Sequence, residues 1–290
     1  MITGTDIYRR KLSDNRLLVL RKGKGWEDIY LNTLVLPMLN GKLPEGVEPA
    51  ASSENARCWR VTSERGSLFV KFFSARGLKD SLPFRKTRSL RAMEGGEILL
   101  KNGFSTPMFI AQGELLRGLK TLENFIITRW LDGSLNTYHL LRSLFDPPLD
   151  RETLLRKRIF IKTLGQLIGR LHRKGIYHGD LRPGNILIGV LDDDFHFNFI
   201  DNERTRYFPE GIPLRLREKN LVQINMIVKP RITFTDRLRF FEAYLSENPE
   251  FLTDAKGLAL KIASKTGERL FEKLPDIPKT FRNKKPLGHL

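Results

Sequence analysis

Short apolar segments separated by turn residues fill the first half of the chain and predict β-strands. Residues 58–61 and 67–73 flank a turn that contains Gly66, a pattern typical of a β-hairpin. The second arm is apolar or β-favouring except for Lys71, whose ammonium group needs either an anionic partner or an exit to solvent. Residues 125–128 predict a further strand. This half of the chain therefore indicates a β-sheet that carries one exceptional lysine.

Apolar residues at helical spacing dominate the second half of the chain. Before it, residues 88–101 predict one helix among the strands, and Gly103 is a plausible stop. Residues 151–174 repeat leucine and isoleucine on one helical face and predict a long helix. Residues 37–53 are rich in proline and glycine and predict a connecting loop. Strands with one helix, followed mainly by helices, indicate an α+β fold.

The net charge of the chain limits the classes of molecule that it is expected to bind. The 290 residues include 50 Lys and Arg against 33 Asp and Glu, a net charge of +17 at pH 7. Such a field favours polyanions: nucleic acid, phosphorylated substrates or an anionic membrane surface. No apolar run approaches the roughly 20 residues of a spanning helix, and the polar N-terminus lacks the apolar centre of a signal peptide. The single cysteine, Cys58, excludes an internal disulfide, so we expect a cytoplasmic protein.

One segment concentrates residues that can do chemistry. After the long predicted helix, a short polar loop carries His178, Asp180 and Asn185, and an apolar strand follows it. A second carboxylate, Asp201, comes at the end of a later apolar strand. Two carboxylates and an amide at adjacent strand ends supply what phosphoryl transfer needs. One carboxylate can orient and deprotonate a hydroxyl, and the other groups can hold Mg²⁺ on the phosphates.

The motifs HGDLRPGNILI, residues 178–188, and FIDNERTR, residues 199–206, resemble the catalytic loop and metal-binding segment of the protein-kinase-like superfamily. The Gly after His, the Arg two after Asp and residues 235–245 most resemble the lipopolysaccharide core kinases of Gram-negative bacteria, which phosphorylate the sugars Kdo or heptose. The resemblance covers about residues 50–245. It implies a bilobal fold. Residues 1–50 would extend the N-terminal lobe, residues 51–130 would form its small β-rich body with one key helix, and residues 131–290 would form a mainly helical C-terminal lobe with a basic tail.

The superfamily motifs imply a role for each matching residue, with ATP and Mg²⁺ as cofactors. Asp180 is similar to the catalytic base, and His178 in the same loop is expected to brace the loop more than to transfer protons. Lys71 is similar to the strand lysine that contacts the α- and β-phosphates. Its partner would be Glu94, with Glu97 as the alternative on the same helix face. The other residues implied are the Mg²⁺ ligands Asn185 and Asp201 and the nucleotide-binding residues Ser53, Asn55, Arg129, Trp130 and Leu131.

The chain departs from the superfamily pattern in three places. No glycine lies between Ala51 and Arg57, so the glycine-rich phosphate loop is absent. Asp201 is followed by Asn202 and Glu203 where the pattern has Phe and Gly, so a switch built on that Phe is not expected. No Ala-Pro-Glu tripeptide follows, and little chain remains for a peptide-docking segment. This favours a sugar or glycolipid hydroxyl over a protein as acceptor.

Two other classes of function stay open. The first is another kinase, either an aminoglycoside-type phosphotransferase or a compact atypical protein kinase, because both use similar HGD loops. The second and less favoured class is a non-catalytic basic module that binds nucleic acid. Arg182, Arg204 and Arg206 either bind acidic substrate groups or are solvated loop charges. The basic tail is either a solvated helix face or a stripe against an anionic membrane, on the inner face of the inner membrane. Its residues are Lys256, Lys261, Lys265, Arg269 and Lys273.

Overall fold

The computed structural model describes residues 6–12, 14–50, 56–63, 66–73, 85–192, 194–227 and 231–272. The chain divides into two compact units. The first unit comprises Met1–Ser134 and Asn198–Thr205, and the second comprises Leu135–Phe197 and Arg206–Leu290. Of the helices that the structure describes, none is long and apolar enough to cross a membrane.

A seven-stranded antiparallel sheet forms the body of the first unit. Its strands are β1 (Asp6–Lys11), β2 (Arg16–Lys22), β3 (Val47–Pro49), β4 (Ala56–Val61), β5 (Leu68–Phe73), β6 (Phe109–Arg117) and β7 (Lys120–Arg129). The strands lie in the order β1-β2-β6-β7-β5-β4-β3. A helical segment over Leu31–Val35 continues into α1 (Leu36–Leu39), and α2 (Arg88–Lys101) packs against β6 and β7. The hydroxyl of Thr87 accepts a hydrogen bond from the Leu90 amide and begins α2.

Alternating side chains of the central strands fill the core of the first unit. Val70 and Phe72 of β5 are buried, and Phe72 stacks on Phe125 of β7 with 5.0 Å between ring centroids. Leu18 of β2 and Leu34 of the helical segment belong to the same apolar cluster. Residues 6–50 therefore contribute both strands and core side chains to this unit. Lys71 lies on the same strand as Val70 and Phe72 but is only half-buried.

Helices dominate the second unit. They are α3 (Thr137–Leu144), α4 (Arg151–Arg173), α5 (Leu214–Ile224), α6 (Phe234–Ser246) and α7 (Ala255–Phe271). The small strands are β8 (Leu135–Asn136), β9 (Ile176–Tyr177), β10 (Ile186–Leu191), β11 (Asp194–Phe199) and β12 (Arg206–Tyr207). The pairings follow the orders β11-β10-β8 and β12-β9. Along the chain, the polar loop of residues 178–185 lies between β9 and β10.

A buried ion pair joins α4 to α6. The ammonium group of Lys157 lies 2.9 Å from the carboxylate of Asp236, and both side chains are almost fully buried. Burial alone would raise the pKa of Asp236, but hydrogen bonds from Thr233 and Lys157 outweigh it and lower that pKa. Thr233 and Asp236 also form a capping box at the start of α6. The charge of Asp236 therefore fixes both the start of α6 and its contact with α4.

The elements with the clearest sequence patterns form as predicted. The hairpin is β4 with β5, residues 88–101 form α2, and the long predicted helix is α4, which ends at Arg173. The prediction that residues 37–53 form only a loop is wrong. Within that span the structure has most of α1, and it also has β3, where Val47 pairs with Val61 of β4. Pro37 lies where the helical segment Leu31–Val35 continues into α1.

Candidate active site

The polar loop of residues 178–185, called the catalytic loop below, follows α4 and β9 in the second unit. Gly179 has a φ of 81°, a left-handed conformation that glycine adopts without steric cost, and it turns the chain between His178 and Asp180. A short turn over Pro183–Asn185 then leads directly into β10. The glycine of the HGD motif is therefore explained by the backbone conformation that this turn requires.

Two side chains hold the carboxylate of Asp180. The Nε of Arg182 lies 2.8 Å from its Oδ1, and the Nε2 of Gln223 in α5 donates to the same atom at 3.3 Å. About a quarter of the Asp180 side chain is exposed. The carboxylate is therefore held in place and is also accessible to solvent.

The amide of Asn185 is oriented by the backbone of the same loop. Its Nδ2 donates to the carbonyl oxygen of Asp180 at 2.8 Å, which directs the amide oxygen to the other side of the group. An amide oxygen is a suitable ligand for Mg²⁺. This donor chemistry fits the role that the motif implies for Asn185.

A chain of buried polar side chains lies behind the catalytic loop. Oε1 of Gln223 accepts from the Leu181 amide at 3.1 Å and from Nδ2 of Asn220 at 3.0 Å. The Oδ1 of Asn220 is 3.2 Å from Nε2 of His172, and Nδ1 of His172 is 3.1 Å from the hydroxyl of Tyr244. The four side chains of this network, Gln223, Asn220, His172 and Tyr244, are buried. Sequence patterns did not identify them, because polar residues within helical patterns do not reveal what they contact.

His172 is neutral at physiological pH. Complete burial, reinforced by the positive charge of Arg217, lowers its pKa from 6.5 to about 3. A neutral imidazole donates with one ring nitrogen and accepts with the other, so it can link Asn220 to Tyr244. His178 of the catalytic loop is also fully buried. Its expected bracing role stays a prediction.

The other candidate residues lie in the first unit, where Lys71 forms an ion pair with Asp201. The Nζ of Lys71 donates to Oδ1 of Asp201. Asp201 has a φ of 60° and a ψ of 44°, a left-handed conformation that Asp tolerates better than most residues. This conformation directs the carboxylate to Lys71 at the point where β11 has ended.

The expected pairing of Lys71 with Glu94 is not what the structure has. Glu94 accepts from Lys86 at 2.7 Å, and Glu97 lies 3.5 Å from Lys101, four residues further along α2. Lys71 instead uses Asp201. The physical reason is that each helix glutamate pairs with another lysine, and the carboxylate of Asp201 contacts Lys71 directly.

The segment after Asp201 is fixed onto α2. A Cβ added at Gly95 would lie 2.1 Å from the carbonyl oxygen of Asn202, so only glycine permits this approach. The Nδ2 of Asn202 donates to the hydroxyl of Thr106 at 2.9 Å. Glu203 accepts from the guanidinium of Arg88 at 2.8 and 3.1 Å. Asn202 and Glu203, which replace the Phe and Gly of the superfamily pattern, thus hold the Asp201 segment in one place.

Three of the predicted nucleotide-binding residues, Arg129, Trp130 and Leu131, lie at the end of β7 and just beyond it. Arg129 pairs with Leu68 of β5, while Lys71 of the same strand pairs with Ile126. The guanidinium of Arg129 donates to the carbonyl of Gly66 at 3.2 Å. The amide of Trp130 donates to Ser67 at 2.9 Å, and Leu131 is half-buried. Their nucleotide-binding role stays a prediction, and the other two residues of that prediction, Ser53 and Asn55, lie outside the described residues.

The three arginines proposed for substrate differ in their surroundings. Arg182 is engaged with Asp180. Arg204 is exposed in the turn after Asp201, and Arg206 is exposed in β12, opposite Tyr177 of β9. Throughout the part of the chain that the structure describes, no cluster of three His, Cys, Asp or Glu side chains is placed to hold a metal ion.

The basic tail is only partly solvated. Lys261 and Lys265 of α7 both lie 2.5 Å from the carboxylate of Glu218 in α5, and that carboxylate is almost fully buried. Burial would raise the pKa of Glu218, but the two lysines outweigh it and lower the pKa. Lys256 is exposed, and Lys273 lies outside the described residues. Two lysines of the expected surface stripe thus serve to attach α7 to α5.

The fold and the site define a class of protein. A β-sheet N-terminal unit followed by a mostly helical C-terminal unit, with a lysine–aspartate pair in the first and an HGD loop in the second, is the protein-kinase-like bilobal fold. The family model of the lipopolysaccharide kinase (Kdo/WaaP) family matches residues 50–244. The chain belongs to this family, and the predictions of fold class and family are confirmed.

Two solved structures resemble this chain to different extents. A structure of WaaP in complex with acyl carrier protein is 23% identical and covers 82% of this chain and 97% of that chain, with a TM-score of 0.58. The complex of Rio2 kinase from Chaetomium thermophilum with ADP/Mg²⁺ and phosphoaspartate is 18% identical. It covers 92% of this chain and 83% of that chain, with a TM-score of 0.43. No curated protein matches the chain.

Proposed function

We propose that this kinase transfers the γ-phosphoryl group of MgATP to a sugar hydroxyl of the lipopolysaccharide inner core, on Kdo or heptose. The observation that carries the proposal is the held but accessible carboxylate of Asp180, in a catalytic loop that also orients the Asn185 amide. Family membership over residues 50–244 supports the same class of acceptor.

The proposed chemistry depends on positioning and electrostatics. Asp180 would align the acceptor hydroxyl and take its proton, and Asn185 and Asp201 are the residues that would hold Mg²⁺. Lys71 forms an ion pair with Asp201 in the structure. We expect the same ammonium group to attract the phosphate oxygens of bound MgATP. When bound, Mg²⁺ offsets the negative charge of the phosphates.

The length of the chain after Asp201 supports a small acceptor. Only residues 202–213 separate Asp201 from the start of α5 at Leu214, and they hold one turn and the two-residue strand β12. A protein acceptor needs an extended segment along which a peptide can dock. A sugar hydroxyl needs only access to Asp180.

A panel of acceptors with MgATP, analysed by mass spectrometry, tests the acceptor class. Kdo-lipid A and heptosylated lipid should gain one phosphate, whereas an aminoglycoside and a generic protein should gain none. Phosphate on the aminoglycoside or on the protein alone would replace the proposal with one of the alternative kinase classes. Salt-sensitive RNA binding without any ATP turnover would favour the non-catalytic module.

The first prediction concerns Asp180. The variant Asp180→Ala should lose about 10²- to 10⁴-fold or more in kcat, because the hydroxyl loses its base, while ATP still binds. Asp194→Ala is the matched control, since Asp194 is exposed at the start of β11. Single-turnover phosphoryl transfer and nucleotide binding measured on both variants check it. Normal turnover by Asp180→Ala would rule out this mechanism.

We further propose a cytoplasmic enzyme that meets its glycolipid acceptor at the inner face of the inner membrane. The net charge of +17 supports a partner with anionic groups. The WaaP structure contains acyl carrier protein as a partner of that protein, which makes acyl carrier protein a candidate partner for this chain. Copurification of acyl carrier protein with this chain would test that partnership independently of the acceptor panel.

A further inference from the structure

A groove between α5 and α7 in the second unit is lined mainly by cations. Its volume is about 460 Å³. The residues that line it are Arg215, Leu216, Lys219, Val222, Lys265 and Arg269. We call this surface the basic groove.

The helices present their cations to the basic groove as two pairs. Arg215 and Lys219 are four residues apart on α5, and Lys265 and Arg269 are four residues apart on α7. Residues at that spacing share one face of a helix, so each helix offers two positive charges. Like charges at this spacing repel each other, which costs stability unless an anion is bound between them.

The carboxylate of Glu218 does not neutralise the basic groove. Glu218 is almost fully buried and is already bound by Lys261 and Lys265. Arg215, Lys219 and Arg269 have no acidic partner among the described residues. Three positive charges therefore face the groove without an internal counter-ion.

The walls of the basic groove are firmly attached to each other. Nδ2 of Asn225, just after α5, donates to the hydroxyl of Thr266 in α7 at 3.0 Å, and Thr266 is buried. Leu258 and Ile262 of α7 are buried as well. The cations thus project from a fixed support, which reduces the entropic cost of binding a ligand.

We propose that the basic groove is a binding site for a ligand that carries two phosphate groups. Guanidinium groups pair with phosphate through two parallel hydrogen bonds, and lysines add point charges. A phosphate ester carries about −1.5 to −2 charges at pH 7, so about two of them balance the three unpaired cations. The apolar Leu216 and Val222 in the lining lower the local polarity, which strengthens each ion pair.

The probe for the experiment is inorganic pyrophosphate, titrated into the full chain by calorimetry without ATP or acceptor. The variant Arg215→Gln/Arg269→Gln should bind pyrophosphate about tenfold more weakly or worse, because two charge-assisted pairs are lost. The variant Lys162→Gln/Lys256→Gln removes the same charge from exposed positions outside the groove and should change the affinity by less than about twofold. Equal weakening in both variants, or none in either, would overturn the proposal.

Two further measurements complete the test. Arg215→Lys/Arg269→Lys keeps the charge and should bind more tightly than the glutamine variant, and thermal unfolding of each variant checks its fold. Cardiolipin vesicles, whose headgroup carries two phosphates, are compared with phosphatidylcholine vesicles to distinguish the source of the phosphate. If vesicle binding also falls in Arg215→Gln/Arg269→Gln, the site takes lipid headgroups, and if only pyrophosphate binding falls, it takes soluble phosphates. Because no turnover is measured, failure here is separate from failure of the proposed kinase activity.

Discussion

Gln223 connects the buried interior of the second unit to the catalytic loop. Its amide donates to the carboxylate of Asp180 and accepts from the backbone amide of Leu181 and from Asn220. The side chain is 2% exposed, so it acts through Asp180 and not through substrate. We therefore assign Gln223 a positioning role for the candidate base.

The second prediction tests that role. Gln223→Met keeps the size of the side chain but leaves the N–H groups of Leu181 and Asn220 unsatisfied, which should cost about 1–3 kcal/mol of stability. Because Asp180 loses a donor, kcat should fall about tenfold or more while KM for ATP changes little. Steady-state kinetics with thermal unfolding check both effects.

The control for Gln223→Met is Gln166→Met on α4. Gln166 is partly exposed and lies outside the catalytic loop. It should keep both kcat and stability close to those of the parent. A Gln223→Met enzyme with an unchanged kcat, or one that loses only stability, would make Gln223 a structural residue without a positioning role.

The third prediction concerns His172 and pH. Its pKa is about 3 in the folded protein against an ordinary value of 6.5, so between these two values the unfolded state binds more protons. The free energy of unfolding should therefore fall as pH falls below about 6.5, by up to about 1.4 kcal/mol per pH unit from this residue. Denaturant titrations at pH 7, 6 and 5 check this by comparing the parent with His172→Gln. The stability difference between them should narrow toward acid pH, and parallel curves would contradict it.

At the scale of elements, α2 fixes the segment that carries Asp201. The close approach of Gly95 to Asn202, together with the Arg88–Glu203 pair, holds residues 202–204 on the helix. Sequence patterns predicted α2 itself, because its periodicity is local. They did not predict this contact, because the partners are more than a hundred positions apart in the chain.

The fourth prediction is that Gly95→Ala separates these elements. The new methyl group would lie 2.1 Å from the Asn202 carbonyl, so the backbone must move and Asp201 moves with it. We expect a loss of about 1–3 kcal/mol of stability and a raised Mg²⁺ requirement. Thermal unfolding and Mg²⁺ titration of the kinase activity measure the two effects.

Gly267→Ala is the contrasting variant for this test. Gly267 lies within α7, and an added Cβ meets no atom within 4 Å. Alanine restricts the unfolded chain more than glycine does, so the variant should be about 0.5–1 kcal/mol more stable. If Gly95→Ala were stabilising as well, the close packing of α2 on residues 202–204 would be wrong.

At the scale of the whole molecule, the positive charge has several uses. Lys71 pairs with Asp201, Lys261 and Lys265 pair with Glu218, and Arg88 pairs with Glu203. The two one-to-one pairs are neutral as a whole and contribute little to a long-range field, whereas the two lysines at Glu218 leave one positive charge. The remaining excess within the net +17 is what a distant anionic partner meets.

The fifth prediction follows from that excess. Activity on an acceptor embedded in anionic vesicles should fall more steeply with added salt than activity on a soluble acceptor, because screening weakens attraction to a charged surface. Initial rates over a series of ionic strengths at fixed acceptor concentration measure the two slopes. Equal slopes would contradict this prediction and would indicate that the excess charge serves only to keep the protein soluble.

The family, the fold class and the residue types of the candidate site follow from the amino-acid sequence alone. Helices and strands depend on local periodicity, and the HGD loop with its following Asp keeps a fixed spacing that does not depend on packing. Which charged side chains pair with each other depends on the three-dimensional packing. Lys71 pairs with Asp201 and not with Glu94, Lys261 and Lys265 bind Glu218, and Gln223 reaches Asp180. These contacts join residues that are far apart in the chain. Among the many possible partners of each charged group, the folded structure selects those that are close in space and shielded from water.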